Sequence, residues 1–215
     1  MGLFNLFSKK STGPYKEEHL NVIYNLLFCD NIALYKSTTK NPVYPWDVLL
    51  VETPDNESLV KITSEKTLEA RQRMLAYHLL AASGIPAGQK EILGVIVEVG
   101  LADGLDVLAA FSDGTARYLN YTSKLLLWET RTKESDELIG RLFSAGANVV
   151  HKIGPWDKER KPFPTKGMVR LSFLVSDGLY FGEGPMEVLQ SDPMGGPVIH
   201  AAIMLMTYLT QQPVP

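Results

Sequence analysis

With 215 residues, 23.9 kDa, 45% hydrophobic and 21% charged residues, the chain has the apolar content for one sizeable core and lies outside the disordered range. Lys and Arg total 21 against 24 for Asp and Glu, a formal net charge of −3, so no global basic field draws it onto nucleic acid and no nucleic-acid partner is expected. Its single cysteine excludes an intramolecular disulfide, and a cytoplasmic location is the expectation that follows.

Residues 1–10, Met-Gly-Leu-Phe-Asn-Leu-Phe-Ser-Lys-Lys, hold an apolar run too short for the core of a signal peptide, with positive charges after the run instead of before it. Gly2 invites myristoylation, but the motif wants Ser or Thr where Leu6 stands. Leu3, Phe4 and Phe7 can share a helical face beside Lys9 and Lys10, the composition of a peripheral membrane contact. A flexible or docking segment over 1–13 is the expected reading.

Thr12-Gly13-Pro14 opens a helix in which Leu20, Ile23, Tyr24 and Leu27 recur at helical spacing and Glu17 and Glu18 favour the positive end. Cys29, inside the apolar run 26–29, is expected as a small buried side chain and not as a reactive thiol. Residues 37–47 form a loop, and Pro45 and Asp47 suit the start of a short helix over 46–51. Asp55 caps a helix to residue 62, and Thr63 or Ser64 caps the next. There Leu68, Leu75, Leu79 and Ala82 share a face, Glu69 pairs with Arg73, Gly84 is the left-handed stop and Pro86 forbids continuation. Residues 14–86 are therefore a helical layer and 87–215 an α+β sheet domain, joined near 84–89 as layers of one unit.

Between 91 and 129 lie runs rich in Val, Ile, Leu, Tyr and Phe, at 91–100, 105–111, 116–121 and 123–128, punctuated by Gly and Asp. They predict a four-stranded antiparallel meander, with Asp113-Gly114 as a two-residue hairpin turn that pins the register. Ser135 then caps a helix whose buried stripe runs from Leu138 to Ile153, and Gly140 and Gly146 within it predict close approach to the sheet. His151 reads as a satisfied helix-end group. A strand over 168–175 places Val169, Leu171, Phe173 and Val175 on one face and Arg170 and Ser172 on the other, and Asp177-Gly178 returns it as a hairpin. After a short helix near 186–190, a last helix over 198–209 is apolar on nearly every side. It is too short to span a bilayer, so it is expected to be covered all round, within the fold or by a second copy of the chain. The fold class is α+β: a mainly antiparallel sheet, a four-stranded meander plus a later hairpin, covered by helices.

No nucleophile elbow, dinucleotide fingerprint or kinase motif is present, and His19, His78, His151 and His200 lack ligand spacing; no metal or cofactor is expected. Three constellations remain. Trp156, Arg160, Lys161 and Phe163 lie on an irregular segment, 154–167, longer than most connections, with Arg170 just beyond it; these are the candidate binding residues. Gly195-Gly196 at a helix start could receive an anion, but Pro197 removes a donor, so helix punctuation is the reading. Glu98, Asp103 and Asp106 could hold a cation, yet calcium-loop spacing is absent and Asp beside Gly is ordinary turn chemistry.

The leading expectation is a non-enzymatic binding or interaction module that engages a protein partner or, through the last helix, a second copy of itself. The competing one is an enzyme acting on a small polar or anionic substrate in a cleft lined by Trp156, Arg160, Lys161 and Arg170. Shape separates them: a concave pocket where polar groups converge against a flat face formed by Trp156 and Phe163.

Overall fold

The computed structural model describes residues 13–212, so all but the last residue of the flexible or docking segment expected over 1–13, with the alternative membrane contact of Leu3, Phe4 and Phe7, lies outside the described residues. The alternating apolar runs fold into one six-stranded antiparallel sheet with β1 (Ile92–Gly100) near its centre. On one side of β1 the meander continues through β2 (Leu105–Phe111), β3 (Ala116–Leu119) and β4 (Leu125–Trp128). The other edge of β1 receives the later hairpin of β5 (Met168–Val175) and β6 (Gly178–Pro185), giving the order β4-β3-β2-β1-β5-β6.

Because side chains alternate across a strand, each face of the sheet takes its own cover. Ile96, Val107, Ala109, Phe111 and Leu174 face α1 (Glu18–Leu26), α2 (Ile32–Thr38), α3 (Trp46–Leu49), α4 (Asn56–Ser64) and α5 (Ala70–Ala82). Val95, Val97, Leu171, Phe173 and Val175 face α6 (Lys133–Val150) and α8 (Gly195–Gln211), with α7 (Met186–Ser191) joining β6 to α8. The result is an α+β fold of three layers, helices above and below a single sheet. Among the described residues no helix is long and apolar enough to cross a membrane.

Both Asp-Gly turns reverse the chain, though not with both residues at the centre of a two-residue loop. Around the first, Phe111 N donates to Thr115 O and Gly114 N to Phe111 O, so residues 112–114 form a three-residue loop with Gly114 at φ 87°. Asp113 is thereby free to use its carboxylate: Oδ1 accepts from Thr115 N at 2.9 Å and Oδ2 from Ala70 N at 2.8 Å, at the start of α5. The hairpin turn thus ties the helical layer to the sheet. In the second reversal Val175 pairs with Gly178, so Ser176 and Asp177 make the loop and Gly178 opens β6 at φ 141°.

Several helix starts shift for identifiable reasons. The first helix begins at Glu18 and not at Pro14, because the Asn21 side chain brackets Tyr15, accepting from its N and donating to its O at 2.9 Å each, while Tyr15 Oη reaches Leu105 O at 3.0 Å. Thr63 and Ser64 finish α4 instead of capping α5, which starts at Ala70 behind Glu69, with Gln72 Oε1 accepting from Glu69 N at 3.1 Å. Arg73 is drawn away from Glu69 by Thr63 O and by Glu91, leaving Glu69 to pair with Arg71. Thr132, not Ser135, caps α6; Ser135 closes the box by accepting from Thr132 N. Gly146 does allow close approach, since a Cβ there would sit 2.9 Å from the Phe173 ring, whereas Gly140 has nothing within 4 Å. Finally, α8 is not covered all round: Ile203 and Met204 are each 44% exposed, on a strip shared with His200 and Thr207.

Candidate functional site

On the helical-layer face the three strands β1, β5 and β6 carry Glu98, Arg170 and Glu183 directly opposite one another, an acid-base-acid row across the sheet. Arg170 is 2% exposed. Its Nε donates to Glu183 Oε2 at 2.7 Å, Nη1 to Lys161 O at 3.0 Å, and Nη2 to Pro162 O. A desolvated guanidinium is tolerable only when its planar fork is filled, and here two of the acceptors are backbone carbonyls of the 154–167 loop. Arg170 therefore stitches that loop onto the sheet.

Glu98 is wholly buried beside it. Its Oε1 accepts from Tyr24 Oη at 2.6 Å, while Oε2 accepts no hydrogen bond from the described residues and lies 3.9 Å from Arg170 Nη1. Burial pushes the Glu98 carboxyl above its ordinary value, against the Tyr24 hydroxyl and the Arg170 and Arg160 charges, which pull it down. In the next row Ser172 Oγ is also buried without a partner among the described residues.

The loop is fixed at both ends by backbone contacts. Trp156 N donates to Leu179 O at 2.7 Å, its Nε1 to Glu159 O at 3.0 Å, and its ring meets Phe181 edge-on at 5.0 Å. At the far end Gly167 N donates to Gly100 O, and the chain passes so close to Gly100 that a Cβ there would fall 2.0 Å from Thr165 O. Only glycine fits at that crossing.

Between this loop and the helical layer lies a cleft of about 750 Å³. Its apolar lining comes from Phe28, Leu34, Met74, Leu174 and Leu179, and its polar lining from Asn25, Asp30, Asn31, His78, Lys158, Glu159 and Arg160, with Trp156 on the loop side. Arg160 closes one corner: Nε donates to Asp30 Oδ2 at 2.7 Å, Nη2 to Asn25 Oδ1 at 2.8 Å, and the guanidinium stands 3.9 Å from the Phe28 ring centre. His78, on α5, places Nδ1 2.6 Å from Cys29 O. A carbonyl only accepts, so Nδ1 carries the proton and Nε2 is the lone-pair nitrogen. Burial holds His78 below its ordinary value and keeps it neutral. Cys29 itself is fully buried at φ 55°, its thiol pushed up to about 12 by desolvation, and is chemically quiet.

Of the residues singled out in the sequence, Trp156 and Arg160 line the cleft. Lys161 does not: its ammonium lies over the Trp156 and Phe181 rings at 5.6 and 5.3 Å. Phe163 is 37% exposed and apart from the cleft walls, and Arg170 is sealed beneath the loop. Glu98 and Asp106 do not converge, because neighbouring registers send them to opposite faces of the sheet; Asp106 instead accepts from Tyr118 Oη and Tyr121 N. At the start of α8 the donors of Met194 and Gly195 are taken by Asp192 Oδ1. A smaller cleft of about 390 Å³ beside Lys90, Phe143 and His151 has its histidine engaged with Ala147 O.

His78, Asn25, Asp30 and Met74 escaped sequence reasoning. They come from α1, α5 and the break between α1 and α2, and nothing in local spacing unites them. Compared with protein-family models and with curated proteins, the sequence matches none.

Proposed function

We propose that this chain binds a small ligand in the cleft between α1, α5 and the 154–167 loop, a reading favoured by a concave wall that includes Trp156 and Arg160 over the flat Trp156 and Phe163 face of an interaction module, with no catalytic step assigned to it. The observation that carries the reading is the convergence of side chains from three separate segments on one concavity of about 750 Å³, within the ~300–1,000 Å³ of small-molecule sites. Partly exposed apolar lining from Leu34, Trp156 and Leu179, over a floor of buried Phe28, Met74 and Leu174, suits the body of a ligand, and polar groups at fixed positions suit its orientation. Arg160 is held by Asp30, Asn25 and Phe28 before any ligand arrives, so little ordering cost remains for binding. Asp30 and Glu159 balance Lys158 and Arg160, which favours a small polar ligand over a highly charged one.

A thermal-shift screen with small polar compounds, run on the wild type and on Trp156→Ala and Arg160→Ala, tests this. A true ligand stabilises the folded state by mass action, about 2.7 kcal/mol at a hundredfold excess over Kd. The stabilisation should shrink in both variants. A panel without any stabilising compound, or equal shifts in wild type and variants, sinks the reading.

The exposed Ile203 and Met204 on α8 support a second reading, self-association through that helix. Sedimentation of the purified protein at tens of micromolar checks it, and a monomer there removes it.

A further inference from the structure

We infer that His78 sets the specificity of the cleft: its Nε2 accepts a hydrogen bond from an N–H or O–H carried on an otherwise apolar, uncharged ring, which makes neutral donor-bearing ring compounds the ligand class. The inference rests on the cleft being a ligand site and adds what that site reads.

The polar inventory of the walls leads there. Asn25 Oδ1 is taken by Arg160 and its Nδ2 donates to Asn21 O at 2.8 Å. Asn31 Oδ1 accepts from Ala33 N at 3.1 Å, and Asp30 is paired with Arg160. The lysine on the wall, Lys158, stands over the Trp156 ring. That leaves His78 Nε2 as the uncharged side-chain acceptor on the cleft wall without a partner among the described residues, and it is not one of the atoms sealed from solvent.

The tautomer that frees Nε2 is built into the fold. Cys29 adopts a left-handed conformation, φ 55°, at the end of α1, and there its carbonyl meets His78 Nδ1. A non-glycine residue pays a steric penalty in that conformation. The surrounding packing of Phe28, Tyr35 and Met74, each under 5% exposed, holds it there. With Nδ1 fixed as donor, a ligand that can only accept finds no partner at this ring, whereas a ligand donor does. Leu34, Trp156 and Leu179, the partly exposed apolar groups of the wall, supply contact for the remainder of such a ring.

Indole and N-methylindole are the probes, since they differ in the N–H donor and share the ring. They are titrated by NMR into the full chain labelled with ¹⁵N in histidine and tryptophan. The expected result is that both perturb the Trp156 indole signal, that indole alone shifts His78 Nε2, and that indole binds about tenfold more tightly. In His78→Phe the preference should fall to near unity, and His78→Gln, which keeps a side-chain acceptor, should restore part of it. Equal affinities in the wild type, or a preference that survives His78→Phe in a folded variant, overturns the inference while leaving the cleft reading standing. If neither probe perturbs Trp156 or His78, the cleft reading fails and the inference goes with it.

Discussion

The two faces of the sheet are built from the same strands and do different work. Beneath α6 and α8 the central strands present Val95, Val97, Leu171, Phe173 and Val175, and Gly146 lets the helix come down onto the Phe173 ring. On the opposite face the same strands present Glu98, Arg170, Glu183 and Ser172. A hydrophobic substitute for a buried ion pair is often as stable or more so, so stability alone does not account for that row. What Arg170 achieves is positional: it clamps the backbone at Lys161 and Pro162, the loop that forms one wall of the cleft. One face is scaffold, and the other gives up apolar continuity to hold a loop in place.

That contrast can be broken most forcefully at Phe173. Truncation to alanine on the scaffold face is expected to cost about 3–5 kcal/mol in denaturant unfolding while leaving ligand affinity of the folded fraction unchanged. Arg170→Met should cost about 3 kcal/mol, because Glu183 and two loop carbonyls lose their donor, and it should also speed hydrogen exchange across 156–163. If Arg170→Met leaves loop exchange untouched, the clamp is the wrong description. Asp113→Ala, which removes the acceptor from Ala70 N, should cost about 1 kcal/mol and report on how the hairpin turn holds α5.

The smallest effects are expected from two titrating groups, the buried Glu98 and the half-buried His78, and their signs are opposite. Glu98 has a raised folded value, so its contribution is full below the ordinary carboxylate range and is lost as pH climbs through the folded value. Glu98→Gln keeps an acceptor for Tyr24 and should change stability by less than about 1 kcal/mol while abolishing that decline. His78 has a lowered folded value, so its contribution is full above about pH 6.5 and disappears as pH falls toward the folded value. Asp30, from the α1–α2 link, and Arg160, Lys158 and Glu159, from the loop, are the charges that share its cleft. His78→Phe should flatten the acid side of the stability profile, and an unaltered profile would show that the histidine does not titrate as described.

The architecture was legible where its causes are local. Period-two runs and the Asp-Gly pairs marked the strands, and the Arg170 and Ser172 face was correctly separated from the Val169, Leu171 and Phe173 face because alternation is a property of the backbone. Helix starts were less legible. Thr132 and Glu69 win as caps through partners three residues on, while Thr63 looked equally suitable until Arg73 folded back on its carbonyl. The closing helix read as apolar all round because composition does not say which side a neighbour occupies, and α6 and α7 cover one side only.

The lining of the candidate site was half legible. Trp156 and Arg160 stood out through the length and composition of their loop, and the cleft includes both. Lys161 and Arg170 shared that composition but are consumed in building the wall. His78 carried no local signal at all, since its orientation and tautomer depend on a carbonyl 49 residues away.

The chain supplies its own reporters for the central claim, because its three tryptophans fall in different places: Trp46 in the helical layer, Trp128 against α8, and Trp156 at the cleft. Recording the three indole N–H signals while a stabilising small molecule is titrated in tests it most directly. The account predicts that the Trp156 signal moves and saturates while those of Trp46 and Trp128 stay in place; a saturating shift at Trp128 with Trp156 unmoved would contradict it.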